Sequence, residues 1–305
     1  MELSELEHCY AYEVGWGADW KNDPVAVSLF NFMRAAHDFV TEDMIVLDIS
    51  AGQCHYRSFY KHSNYIALDF AGGDPRWDYS KIDIVADAMH LPIRSSCIDI
   101  ALNFEALEHY PKPWQFFAEV SRILKPGGKL LLFVPFLQQE HQAPYDFYRY
   151  TRYALQEFCV QSGLIVEEIT PACSVFTSAW KFFDFLKMSV QSLGEREDQQ
   201  IYKWLLDTQA TLMSLQRQYD LAISANVQAQ NAISQLPMQY LLKAVKPGIL
   251  MPRKHPKERH AILSEILADP FEKKPITWDG VATEVFAPNT SRRYPVIGGV
   301  PRFMQ

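Results

Sequence analysis

Apolar residues in the first 170 positions come in two alternating patterns: short continuous runs that stop at an acid or a small residue, and longer stretches at helical spacing. The first run, Met44 to Leu47, ends in Asp48 and breaks into Ser50, Ala51 and Gly52, which predicts a buried strand feeding a tight turn. Further strands are predicted at Tyr65–Asp69, Ile84–Ala86, Ile98–Asn103, Lys129–Val134 and Ile165–Ile169. Asp23 and Pro24 announce a helix in which Val27, Phe30, Met33, Ala36 and Phe39 or Val40 recur as far as Thr41. Other helices are predicted at Tyr56–Tyr60, Lys112–Ile123 and Thr151–Ser162, with Leu124–Gly128, LKPGG, as a stop before the fifth strand. Such alternation implies parallel strands joined by crossover helices, hence an α/β fold with a doubly wound, mostly parallel sheet whose ligands sit at the carboxyl ends of the strands.

The pattern changes elsewhere. Residues 1–22 are aromatic and irregular, with Tyr10, Tyr12, Trp16 and Trp20, and read as a flap over a site or as packing on the domain. After Ile169, Val175–Leu186 is an aromatic helical segment that either roofs a pocket or packs on the sheet. From Ile201, apolar or small residues alternate every four and three positions through Leu205, Thr208, Leu212, Leu215, Tyr219 and Ala222, then Ala229, Ile233 and Leu236. This seam ends at Pro237 and is interrupted by Asn226. It predicts a long helix or helical hairpin that serves as a lid, as a homodimer contact through 201–236, or as packing on its own domain. Lys243–His260 is basic and reads as a solvated linker or as a face toward a phosphate-bearing substrate, and Ile262–Met304 looks separate. The expected division is a core with an N-terminal flap over 1–172, a helical region over 173–250 and a small C-terminal module over 251–305.

Composition narrows the function classes. Among 305 residues, 48% are hydrophobic and 21% charged, ordinary for a globular protein. A formal charge of −7 argues against bulk binding to nucleic acid or an anionic membrane. No uncharged apolar run is long enough for a membrane span, the start lacks a signal-peptide apolar region, and five scattered cysteines form no CxxC pair. A reduced, cytoplasmic protein is the expectation, with no metal site.

Acids stand at successive predicted strand ends: Asp48, Asp69, Asp87 with Ala88, then Asn103 with Phe104 and Glu105. In order, VLDISAGQCHYR, YIALDF, IVADAMHLP, IDIALNFEALEHY and EVSRILKPGGKLLLFVPF resemble the motifs of class I S-adenosylmethionine-dependent methyltransferases, from about Ile45 to Ile169. EHQAPYDFYRYTRYALQEFCVQSGL resembles a tract in a subgroup carrying PxDFxRYT. The tail, SEILADPFEKKPITW with RRYPVIGGVPRFM, resembles a small zinc-ribbon-like module that accompanies many methyltransferases, here without cysteines and with Asp269–Glu272 where a CxxC is usual.

The resemblance implies a Rossmann-like methyltransferase fold and S-adenosyl-L-methionine as cofactor. It assigns Asp48 and the Ser50, Ala51, Gly52 backbone to the methionine end, Asp69 to the ribose, Asp87 and Ala88 to the adenine, and Asn103 and Phe104 to the methyl-bearing side. Ser50 and Cys54 depart from the usual small residues, and serine resists positive φ, so a tilted loop is expected. For the acceptor's proton the candidates are His141, Glu140, His109 and Asp146; His141 is preferred, with loop anchoring as its alternative. Glu108 and His109 read as a cap or packing pair at a helix entrance. Arg149 reads as an ion pair with Asp146, with an anionic substrate as the alternative partner, and Thr151 as a helix N-cap. The expected activity is methyl transfer to an oxygen or nitrogen of a small-molecule or sugar-like acceptor. Transfer to RNA or protein, and a non-catalytic cofactor-binding scaffold, are the alternatives.

Overall fold

A computed structural model describes residues 2–304 apart from 13, 16, 174, 191–197, 224–236, 252–257, 277, 289 and 291. Seven strands form one sheet: β1 Ile45–Ile49, β2 Asn64–Asp69, β3 Ile84–Val85, β4 Ile98–Phe104, β5 Leu124–Pro135, β6 Ile165–Pro171 and β7 Gln239–Val245. Their order is β3-β2-β1-β4-β5-β7-β6, parallel throughout β1 to β5, with β7 antiparallel to both its neighbours. The order reverses direction between β1 and β4, which opens a crevice at their carboxyl ends. β1 and β4 are buried over their whole length, because helices cover both faces of a parallel sheet and leave no strand face for water.

β7 is a correction to the predicted boundaries. Residues 239–245, placed from sequence inside the helical region 173–250, return to the sheet and pair along Lys129–Pro135 of β5 and Ile165–Pro171 of β6. The LKPGG segment is an irregular start to β5, with a register shift opposite Ile98 and Ile100, rather than a stop before it. Gly127 takes φ 79°, and a Cβ there would collide with Leu250 N, so only glycine fits this close approach.

On one face, α1 (Leu3–Tyr12) and α2 (Pro24–His37) cover the sheet. Asp23 caps α2 by accepting from Val25 N at 2.8 Å. The predicted irregular N-terminus is thus largely helical. It packs on α2, where Tyr10 donates to Ala26 O at 2.7 Å and Tyr10 and Trp20 lie edge-on at 4.9 Å. The helix predicted at Tyr56–Tyr60 is a succession of turns that buries Phe59 and Tyr60. On the other face lie α3 (Pro113–Ile123) and α4 (Arg152–Ser162), the latter capped by Thr151, which accepts from Ala154 N at 3.3 Å.

α5 (Val175–Val190) and α6 (Asp198–Ile223) form the insertion between β6 and β7. Phe183 packs on Trp204 at 5.9 Å, Gln209 donates to Trp180 O, and Lys181 pairs with Asp23 at 2.8 Å, tying α5 to the start of α2. Of the predicted seam, Leu205 is buried while Ile201 and Leu215 are exposed; Ala229, Ile233 and Leu236 lie outside the described residues. Arg253, Lys254 and Lys257 of the basic run are outside them as well.

The C-terminal segment comprises α7 (Arg259–Ile266) and a three-stranded sheet, β8 Glu284–Phe286, β9 Arg293–Ile297 and β10 Val300–Pro301. Asp269 organises it: fully buried, its carboxylate accepts from Phe271 N, Glu272 N, Tyr294 OH at 2.8 Å and Arg292 Nη1 at 3.0 Å. These donors hold its pKa below the ordinary carboxylate value against the opposing effect of burial. The segment shares the core of the main sheet through Ile262, Leu263, Ile266, Trp278 and Phe303. It is fastened there by Arg94, which donates to the carbonyls of Ser264, Leu267 and Ile276, and by ion pairs Lys273–Glu119 and Arg259–Asp83, each 2.6 Å.

Candidate active site

The carboxyl ends of β1, β2 and β4, residues 87–89 after β3, and the loop after β5 enclose a cavity of about 630 Å3. That size is usual for a small-molecule site. Of the residues singled out from sequence, Ser50, Ala51, Gly52, Asp69, Asp87, Ala88, Phe104 and His141 line it together. Asp69 closes β2 and faces the β1 loop, its carboxylate accepting from Gly52 N at 2.9 Å and Ala71 N at 2.7 Å. Burial raises its pKa, and these two N–H groups oppose the rise. Asp87 turns the chain after β3 by accepting from Met89 N at 2.8 Å.

The β1 loop adopts left-handed conformations at Ser50 (φ 64°), Gly52 (φ 52°) and Cys54 (φ 59°). Ser50 and Cys54 therefore take the strained geometry that glycine would take freely. Local bonds hold it there. Ser50 N and Ala51 N donate to Leu68 O at 2.8 and 3.0 Å, and the Ser50 hydroxyl meets Tyr110 OH at 2.6 Å.

Two predicted residues do not reach the cavity. Asp48, 1% exposed, lies beneath the loop and accepts from the Tyr65 hydroxyl; burial pushes its pKa up to about 7. Asn103 is fully buried under β1 and β4, donating to Ile49 O at 2.9 Å and to Tyr110 OH at 2.8 Å. Asp48 shares a face of the sheet with Leu102 and Asn103 takes the opposite one, and Asn103 reaches the loop through Tyr110, whose hydroxyl meets Ser50.

At the other end of the cavity, His141 stands beside Glu108 and His109. His141 Nε2 is 3.7 Å and His109 Nε2 3.8 Å from Glu108 Oε1. Glu108, first among its neighbours, raises the His141 pKa. Asp146 accepts from His141 N at 2.8 Å and is held by Arg149 at 2.6 and 2.9 Å, so the pairing expected of Arg149 is internal. Arg149 drives the Asp146 pKa well down. The arginine also donates to Gln138 O and Gln139 O, folding the loop that presents His141.

Several lining residues were not anticipated: Trp77, Tyr56, Gln142 and Gln239; Glu108 reads from sequence as a cap or packing residue, and His109 both as its partner and as a candidate for the acceptor's proton. For Glu108 and His109 the available sign was their place just past the end of β4. Gln239 lies at the start of β7 and came to the site only with that strand. Trp77 approaches the site from the segment between β2 and β3, where its ring would lie 3.4 Å from a Cβ on Gly52.

Residues 31–132 match the family model described as a methyltransferase domain. A Mycobacterium leprae protein described as an uncharacterized methyltransferase is 29% identical over 138 residues, covering 43% of this chain and 51% of that one. One from Mycobacterium tuberculosis with the same description is 27% identical over 115 residues, covering 35% and 45%. The chain thus spans about half the length of the curated relatives it matches. Among solved structures, Haemonchus contortus phosphoethanolamine N-methyltransferase 2 in complex with S-adenosyl-L-methionine is 16% identical, with a TM-score of 0.44 over 78% of this chain and 56% of that one. The match to the methyltransferase-domain model thus falls on the central strands β1 to β4 and most of β5, within a sheet of doubly wound, Rossmann-like topology.

Proposed function

We propose that the chain is an S-adenosyl-L-methionine-dependent methyltransferase acting on an oxygen or nitrogen of a small-molecule or sugar-like acceptor. The observation that carries this reading is the meeting, in one cavity at the carboxyl ends of β1 to β4, of Ser50–Gly52, Asp69, Asp87 and His141. Asp69 would accept the ribose hydroxyls, Asp87 with Ala88 would edge the adenine, and the Ser50–Gly52 backbone would cradle the methionine end. The acidic lining, Asp69, Asp87, Glu105 and Glu108, suits a sulfonium and repels polyphosphate, which favours a small acceptor over RNA. When bound, the cofactor supplies an activated methyl group; the protein supplies in-line placement of the acceptor and exclusion of water. His141 and Glu108, at the far end, assist loss of the acceptor's proton.

Calorimetry with S-adenosylmethionine tests the reading, with one site per chain expected. His141→Ala should leave that affinity within about twofold while slowing transfer at least about 100-fold, the range of general acid–base contributions. No binding at high micromolar cofactor would sink it.

A further inference from the structure

Glu108 and His109, in the 3-10 turn Leu107–His109 after β4, and His141, in the loop after β5, bring three ligating atoms within 4.8 Å of one another. Their polarity is unusual. His141 Nδ1 lies 3.1 Å from Gln139 O, and His109 Nδ1 is hydrogen-bonded to Tyr145 O. A ring nitrogen meets a carbonyl oxygen only as a donor, so both Nδ1 atoms carry a proton, and in the neutral rings both Nε2 lone pairs turn to Glu108. Glu108 is 1% exposed, and its Oε2, like His109 Nε2, has no hydrogen-bond partner. With the rings neutral, three acceptors converge with no donor among them, an arrangement that a cation in the gap satisfies, in competition with a proton on His141 Nε2 beside Glu108.

Separations of 3.7 and 3.8 Å are too long for hydrogen bonds. They are close to those of ligands sharing one ion, since bonds of about 2.1 Å at a tetrahedral angle place ligand atoms about 3.4 Å apart. Backbone carbonyls on the far ring nitrogens are also what orients metal-bound imidazoles. Glu105, its Oε1 held by Gln239 Nε2 at 2.7 Å, adds negative charge on the same cavity wall.

The geometry points to a divalent transition-metal site formed by Glu108 Oε1, His109 Nε2 and His141 Nε2 at the acceptor end of the cavity. Two imidazoles and a carboxylate suit Zn2+, Mn2+, Fe2+ or Co2+ better than Ca2+, and three protein ligands leave positions open to the cavity. The ion's role rests on the methyl-transfer reading; its binding does not. Under that reading the acceptor is a hydroxyl compound with a second oxygen close enough to chelate. Next to the ion its O–H bond breaks and the proton leaves to water; the oxygen bonds to the methyl carbon as that carbon's bond to sulfur breaks, leaving a neutral thioether. His141 would then assist proton loss through the ion it holds.

The test uses the full chain, stripped with a chelator and titrated separately with Zn2+, Mn2+ and Co2+ by calorimetry, with the visible spectrum of bound Co2+ as a second readout. One equivalent per chain is expected. Glu108→Gln and His141→Ala should each weaken binding at least about 100-fold and change the Co2+ spectrum, while S-adenosylhomocysteine affinity stays within about twofold. Should buried Glu108→Gln fail to fold, the half-buried His141→Ala carries the test alone. Absence of stoichiometric binding by the wild-type chain, or binding undiminished in His141→Ala, would overturn the site. Metal binding without cofactor binding would leave the site standing and remove the methyltransferase reading.

Discussion

Asp48 and Ser50 hold one turn from opposite sides, and their energetics can be separated. A carboxyl whose pKa rises to about 7 on folding, from about 3.9 unfolded, binds its proton more tightly in the folded state. Asp48 therefore favours folding at low pH, and that contribution is lost as pH climbs from about 4 to about 7, at a limiting rate of about 1.4 kcal/mol per pH unit. Asp48→Asn keeps an oxygen for the Tyr65 hydroxyl and removes the titration. Measured by urea unfolding, the variant should gain on the wild type between pH 5 and pH 8; parallel profiles would show that Asp48 does not titrate in this window. Ser50 has two opposing contributions, left-handed strain of about 1 kcal/mol and a hydroxyl bond to Tyr110 of about the same size. Ser50→Gly should be nearly neutral, whereas Ser50→Ala, which loses the bond and keeps the strain, should cost about 1 kcal/mol. Equal melting temperatures for the two variants would mean that the backbone is not strained there.

At the scale of elements, the central strands were legible because each is a short, mostly apolar run closed by Asp or Asn, and the observed β1, β2 and β4 begin or end within a residue of expectation. β7 was not. Its sequence, QYLLKAV, carries a lysine and borders a basic stretch, and its burial comes from β5 and β6 pairing on both sides. Lys243 is tolerated there because its long stem reaches Glu167 at 3.4 Å and the Phe39 ring. The site was legible in the same measure. Residues on strand ends and the glycine turn could be placed by their order in the chain, and Ser50–Gly52, Asp69, Asp87, Ala88, Phe104 and His141 were. Which of them face the cavity depends on the pleat and the loops, and Asp48 and Asn103, both buried, do not line it. Glu108 and His109 owe their importance to a loop more than thirty residues later, a contact that local pattern does not encode.

For the molecule as a whole, the C-terminal segment belongs to the same core as the sheet. Residue Phe303 N donates to Val85 O at 2.7 Å, so the end of the chain extends the β3 edge, and α7 buries three residues against the face that holds α3. A chain ending at Glu258 would leave Arg94 without its three carbonyl partners and uncover the apolar surface beneath Ile262, Leu263, Ile266 and Trp278. Its melting temperature should fall by on the order of 10 °C or more, since each lost kcal/mol is worth a few degrees at this size. An unchanged melting temperature would mean that the segment is an independent appendage.

The antiparallel β7 has a consequence for how such a protein can change over generations. β5 and β6 meet the chain again only after the α5–α6 hairpin, so the hairpin is a loop of roughly 70 residues clamped at both ends by the sheet, and lengthening such a loop even twofold adds only about 0.6 kcal/mol of closure entropy. The hairpin can therefore be exchanged wholesale for a longer, shorter or differently surfaced one, while the strands that frame the cavity stay in register. Among the described residues, that segment contributes none to the lining of the cavity, so novelty can accumulate on its surface with the Lys181–Asp23 pair as its tie to α2.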